Sequence, residues 1–228
     1  MQQIPLNIGP ASGPSFAGFI AGPNAEALRH LELWAEGATR APVPTYLWGP
    51  SGSGKTHLLL AARAALTAGG AAVGWLDATM AEPPPFDERW SAVLLDDVDR
   101  YGAVQQHAAF NWFVNATSVQ GGGARWVLAA GAAPPAELAL REDLRSRLGW
   151  GHVFALQRLG EADCRAALLA QAQARGVVLG AEVVDFILAR FSRDLGHLVQ
   201  LLDLIDRYSL RTQRVVTIPM IRAMLEEA

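Results

Sequence analysis

Gly49, Gly54, Lys55 and Thr56 stand in the spacing G-x-x-x-x-G-K-[ST], inside the run Gly49-Pro50-Ser51-Gly52-Ser53-Gly54-Lys55-Thr56-His57. The chemistry open to such a run is the cradling of a phosphate chain. Glycines let backbone N–H groups turn inward and come close to an anion, and a helix that begins at the end of the loop adds free amides and partial positive charge. A lysine at this position reaches the outer phosphates, and the hydroxyl after it can sit on a magnesium ion. The motif needs a strand before it and a helix after it. The apolar residues of 45–48 supply the first, and a helical pattern over 57–66 the second. The loop residues Gly49 to His57 are therefore the candidate nucleotide site.

A second group lies some forty residues on. Ser91-Ala92-Val93-Leu94-Leu95-Asp96-Asp97 is an apolar run ending in two carboxylates. Such a run suits a parallel strand covered on both faces, and its C-terminal end lies on the side of the sheet where ligands bind. With a phosphate loop in the same sheet, Asp96 is placed to hold Mg2+ together with Thr56, and Asp97 to orient an attacking water. A polar turn or a helix-capping pair is the plainer reading of the same two residues.

Strands are expected at 45–48, 71–76, 91–97, 125–130 and 152–156, with helices at about 24–36, 57–66, 104–119 and 138–147 between them. Asn24 reads as the N-cap of the first helix. In the third, Phe110, Phe113 and Val114 read as inward-facing. The segment 77–89 carries Pro83, Pro84 and Pro85 and reads as a surface loop. From residue 160 the pattern turns to helices only, at 162–175, 181–191, 194–208 and 219–227, with Leu195, Leu198, Leu201, Leu202 and Ile205 forming the clearest stripe. Strand–helix units followed by helices alone imply an α/β domain, a parallel sheet flanked by helices, and then a small all-helical domain. The expected division is a tail at 1–14, an α/β domain at 15–158 and a helical domain at 159–228.

Composition narrows the classes. In 228 residues, 51% are hydrophobic and 18% charged, which suits a folded domain. The net charge of −3 disfavours strong direct binding to nucleic acid, which rests on a basic surplus. One cysteine, Cys164, excludes an intrachain disulfide framework and fits a reducing cytoplasm. No apolar run is long enough for a membrane span, and the N-terminus lacks the features of a secretory signal. The tail is broken by Pro5, Pro10 and Pro14. Its Gln3-Ile4-Pro5-Leu6-Asn7-Ile8 stretch places apolar residues alternately after a glutamine, a pattern that fits either a groove-binding peptide or an unstructured tail.

The order of these pieces resembles the AAA+ ATPases, and within them the DnaA-related group. The resemblance is carried by Phe16-x-x-Phe19 with Gly22-Pro23-Asn24, the phosphate loop, Leu94-Leu95-Asp96-Asp97, Arg145-Ser146-Arg147-Leu148-Gly149-Trp150-Gly151, and Ser192-Arg193-Asp194-Leu195. It implies an AAA+ domain followed by a helical lid, with ADP or ATP and Mg2+ as cofactors. Arg147 falls at the arginine-finger position, offered to a neighbour's nucleotide, and Arg193 at the sensor-2 position, touching the nucleotide of its own chain. DnaA proteins carry a DNA-binding module after the lid and an interaction domain at the N-terminus. This chain shows neither pattern. Its tail instead is similar to the clamp-binding peptide of the Hda-type regulators, with Gln3 as the polar hallmark and Ile4, Leu6 and Ile8 as apolar anchors. That similarity implies a bacterial, cytoplasmic regulator of replication initiation, held by the DNA-loaded sliding clamp (the polymerase beta subunit), which promotes hydrolysis of DnaA-bound ATP and so inactivates DnaA.

The pattern departs from the family at one place. AAA+ proteins carry a polar sensor-1 residue at the tip of the fourth strand, where this chain has Ala129-Ala130-Gly131. The expectation is tight nucleotide binding with weak hydrolysis of its own. The alternatives are a self-sufficient ATPase such as a helicase loader, which the Gln3 peptide and the polar-free tip oppose, and a truncated initiator, which the acidic balance opposes. AAA+ surfaces permit both monomers and stacked homo-oligomers, so the assembly state stays open.

Overall fold

The computed structural model describes residues 13–37, 43–118, 125–191 and 195–227, with the side chains of 195–197 left aside. Gln3, Ile4, Leu6, Ile8 and Arg193 lie outside the described residues, as does the Gly121–Gly123 run. The chain divides into two compact units, meeting in sequence between Arg158 and Leu159.

The first unit is built on five parallel strands: β1 (Thr45–Trp48), β2 (Ala72–Leu76), β3 (Trp90–Leu95), β4 (Trp126–Gly131) and β5 (His152–Ala155), in the order β2-β3-β4-β1-β5. Helices α1 (Ala25–Glu36), α2 (Lys55–Ala68), α3 (Ala103–Thr117) and α4 (Glu142–Leu148) connect them. Successive side chains of a strand point to opposite faces, and the three inner strands are apolar at all but Thr45 and Ser91, so each feeds two cores. Leu47, Ala92, Leu94, Leu128 and Ala130 pack with Leu31 and Trp34 of α1 and Leu58, Leu59 and Ala62 of α2. Tyr46, Val93, Leu95, Val127 and Ala129 pack with Trp112 and Phe113 of α3 and Leu144 and Leu148 of α4. This double burial explains why the strands read as continuous apolar runs.

Several local expectations are corrected. Helix α2 begins at Lys55 itself, two residues earlier than the apolar pattern suggests, because the loop delivers its last glycine, Gly54, in the left-handed region at φ 93° and the helix starts directly after it. The charged helix is shorter than 138–147. Pro134 and Pro135 set up a 3-10 turn over Pro135–Glu137, Leu138 and Leu140 are buried, and the Arg141 N–H is taken by the Gln106 side chain at 3.0 Å, so α4 starts at Glu142. Phe110 is partly exposed, and the fully buried ring of α3 beside Phe113 is Trp112. Asn24 does not cap α1. A 3-10 turn, Gly22–Asn24, runs straight into the helix, and the Asn24 side chain makes no capping bond.

The second unit holds α5 (Glu161–Ala174), α6 (Ala181–Arg190), α7 (Leu195–Thr212) and α8 (Ile218–Glu226). Its core joins Leu168 of α5, Val184 and Ile187 of α6, Leu198, Leu202 and Ile205 of α7, and Ile221 of α8. Cys164 is buried in the same core. Thr217 caps α8 through its side chain, which accepts from the Met220 N–H, and Pro219 takes the first turn, where its missing N–H costs nothing. Among the described residues no helix is long and apolar enough to cross a membrane.

Candidate functional site

The phosphate loop joins the C-terminal end of β1 to α2. Pro50 to Ser53 form a turn closed by the Ser53 N–H on the Pro50 carbonyl at 3.2 Å, and the Gly49 N–H donates to Gly131 at the end of β4 at 3.3 Å. Gly52 and Gly54 both have positive φ, 78° and 93°, a conformation that lets consecutive amides line one side of the loop. Lys55 is almost fully buried, and its Nζ donates to the carbonyls of Gly49 at 2.8 Å and Pro50 at 3.1 Å. Burial pulls the Lys55 pKa down, while Asp97, Asp96 and Asp99 pull it back up and Arg158 pushes it down. The Ser53 hydroxyl is buried without a hydrogen-bond partner among the described residues.

The two aspartates lie just beyond β3, so the structure brings them to the loop as the strand pattern requires. Asp96 is 4% exposed, and its N–H donates to the Leu76 carbonyl at 2.9 Å. Burial raises its pKa to about 6, against a lowering from the Thr56 side-chain hydrogen bond. Thr56 and Asp96, the two residues assigned to Mg2+, are therefore adjacent. Their donor set suits the ion: a hydroxyl and one carboxylate, leaving the remaining positions to water and phosphate oxygens. A carboxylate held above its ordinary range by burial is one that a nearby dication would favour in its charged form. Asp97 has φ 50° and ψ 44°, left-handed for a residue with a side chain, and its carboxylate reaches Arg100 at 3.4 Å.

The His57 side chain is turned elsewhere. Its Nε2 lies 2.9 Å from the Ser15 carbonyl, and its ring is 5.6 Å from that of Phe19. Phe19 lies against the loop: a Cβ placed on Gly54 would come within 2.5 Å of its ring. The Phe16-x-x-Phe19 segment therefore closes one side of the cradle.

The tip of β4 is sealed. A side chain at Gly131 would run into the Tyr46 hydroxyl, and its Cβ would lie 3.0 Å from Val98 and 3.2 Å from the Asp99 carboxylate. Both polar groups are engaged: Tyr46 donates to the Ala133 carbonyl at 2.8 Å, and Asp99 accepts from the Ala132 N–H at 2.7 Å. Burial, helped by Asp99, holds the Tyr46 phenol protonated far above its ordinary range.

Arg147, near the end of α4, is partly exposed, and its guanidinium carbon sits 5.3 Å from the centre of the Phe110 ring, which Arg141 also covers at 4.7 Å. Arg141 is paired with Asp143 at 2.6 Å; Arg147 has no carboxylate partner among the described residues. Trp150 follows it and is 66% exposed. Gly151 is fixed by crowding, since a Cβ there would collide with the Pro44 carbonyl.

Sequence reasoning missed several of these groups. Asn24, read as a helix cap, and Phe110, read as an inward-facing ring, take other roles across long separations; Tyr46, Asp99 and Arg158 were not singled out, and of these Asp99 left a trace, as the third acid of Asp96-Asp97-x-Asp99.

A five-stranded parallel sheet with the phosphate loop after β1 and paired acids after β3, followed in sequence by a helical unit, is the AAA+ architecture. Residues 161–225 match the family model described as "Hda, lid domain". Domain III of the replication initiation protein DnaA from Thermotoga maritima superposes with a TM-score of 0.76 at 20% identity, covering 98% of each chain. AMPPCP-bound DnaA from Aquifex aeolicus gives 0.67 at 20% identity over 88% of this chain and 69% of that one. A point mutant of RuvB from Thermotoga maritima gives 0.67 at 14% identity over 93% of this chain and 72% of that one. These likenesses show an AAA+ fold, with the similarity to the Hda lid family confined to residues 161–225.

Proposed function

We propose that the protein binds ADP or ATP with Mg2+ in its phosphate loop and acts as a regulator of replication initiation, promoting hydrolysis of ATP held by DnaA. The observation that carries this reading is the state of Arg147: a cation on the molecular surface, propped on a ring and without an acid to neutralise it among the described residues, beside an exposed indole. Such a group suits a partner's developing phosphate charge, where an arginine finger contributes about a thousandfold or more in rate.

Within the cradle, Gly49 to Thr56 hold the phosphates through loop amides and Lys55, while Thr56 and Asp96 hold the metal. When bound, the ion screens phosphate charge and orients the phosphate oxygens. Arg193 reports the nucleotide of its own chain. The sealed β4 tip leaves no side chain to steer a water beside Asp97, which supports slow hydrolysis by this protein itself and a structural role for its nucleotide. Gln3, Ile4, Leu6 and Ile8 dock into the sliding clamp on DNA, bringing Arg147 to DnaA.

The deciding experiment measures hydrolysis of DnaA-bound ATP with clamp and DNA present. The native protein accelerates it, and Arg147→Ala abolishes the acceleration while leaving its own nucleotide binding intact. Equal acceleration by both would end this reading.

A further inference from the structure

The Ser51–Gly52 peptide is the central peptide of the turn that crowns the phosphate loop. The turn closes from the Ser53 N–H to the Pro50 carbonyl, and Gly52, its third residue, has φ 78°. That is the type II geometry. The type I turn, with negative φ at the third residue, differs from it chiefly by a reversal of the central peptide. Glycine is permitted both, so the loop's own sequence does not decide which way this peptide faces.

The Ser51 carbonyl is held by a residue more than a hundred positions away. Arg158 Nε donates to the Ser51 carbonyl oxygen at 2.8 Å. In a trans peptide, C=O and N–H point in opposite directions, so holding the Ser51 oxygen on the Arg158 side aims the Gly52 N–H at the opposite face of the turn. Arg158 is itself held in place. The Leu156 N–H donates to the Trp48 carbonyl at 2.7 Å. Gln157 is gripped on both sides by buried Asn24, which donates to its carbonyl at 2.9 Å and accepts from its N–H at 2.8 Å. The backbone that carries Arg158 is thus pinned to both β1 and the segment before α1.

We propose that Arg158 is a positioning residue that locks the Ser51–Gly52 peptide in its type II orientation, so that the Gly52 amide is presented to the outer phosphates of a nucleoside diphosphate or triphosphate. The inference rests on the nucleotide-binding reading and deepens it. The Arg158 charge also acts on Lys55, disfavouring its protonated form. An anion within reach of both cations relieves that repulsion.

Calorimetric titration of the full chain with ADP and with AMP tests the lock. Arg158→Ala is expected to weaken ADP about tenfold, the scale of one charge-assisted hydrogen bond. AMP, which lacks the outer phosphate, changes less than about twofold, so the ADP-to-AMP preference falls. Arg158→Lys, which can still donate to the Ser51 oxygen, recovers most of the loss. The melting temperature without nucleotide stays within about two degrees in both variants, because the bond is exposed and its loss costs little stability. ADP affinity within twofold of the native value in Arg158→Ala overturns the lock alone. So does an equal loss for ADP and AMP, which marks a general disturbance and not a turned peptide. Native protein that binds no ADP overturns both the lock and the reading beneath it.

Discussion

The guanidinium of Arg147 lies over the ring of Phe110, 5.3 Å from its centre, with Arg141 on the same ring at 4.7 Å. Two cations share one aromatic platform, and among the described residues only Arg141 is neutralised by an acid. The platform places Arg147 without consuming its charge, because a ring face orients a guanidinium while leaving its N–H edge open. Replacing Phe110 by Ala keeps Arg147 and removes its support. Acceleration of DnaA-bound ATP hydrolysis is expected to fall about two- to fivefold, the scale of an exposed cation–π contact. That lies far short of the loss from Arg147→Ala, and a dose–response with clamp and DNA separates the two.

Asp96 sets a dependence on pH. Its folded pKa, raised to about 6 by burial, exceeds the ordinary carboxylate value. The folded state then binds more protons than the unfolded state between about pH 4 and pH 6, and stability from this group declines as pH rises through that window. Above it the carboxylate is charged and buried at a cost. Asp96→Asn removes that cost, so the nucleotide-free protein should gain about 1–3 kcal/mol at pH 7. The same change should remove most of the magnesium dependence of nucleotide affinity. Thermal melts and titrations with and without Mg2+ check both signs.

At the β4 tip the geometry predicts that the polar sensor cannot simply be restored. Gly131→Asn drives a side chain into the Tyr46 hydroxyl and is expected to destabilise by about 1–3 kcal/mol. Tyr46→Phe in the same chain opens space and recovers part of the loss. Denaturant midpoints of the single and double variants decide it.

Asn24 ties the approach to α1 to the end of β5 through two bonds to Gln157. Asn24→Ala leaves both backbone groups unpartnered in a partly buried place, at an expected cost of about 1–3 kcal/mol. Asn24→Asp keeps the acceptor but loses the donor and buries a charge, and it should be no better. Urea unfolding of the three proteins gives the order.

The tail makes a separate prediction. Gln3→Ala should lose capture by the immobilised sliding clamp while its ADP titration is unchanged, since the peptide and the cradle are independent parts of the proposed function. Capture at the native level would remove the clamp from the mechanism.

Features written in consecutive residues are legible without coordinates. The loop from Gly49 to Thr56 needs its glycines and its lysine in fixed order, and β3 must be apolar from Ala92 to Leu95 because both its faces are covered there. The lid appears as periodic leucines in α7. Patterns of this kind follow from local geometry, with periods of two and 3.6 residues. The pairings that folding alone creates join residues far apart in the chain: Arg158 on Ser51, Asn24 on Gln157, Tyr46 and Asp99 filling the space beside Gly131, Phe110 turned outward to carry Arg147. Asn24 shows why these were illegible. Its type and place suit a helix cap, and the partner that displaced that role stands 133 positions away. A side chain's options are set by its own chemistry, but the choice among them goes to whichever donor or acceptor the fold brings within about 3 Å.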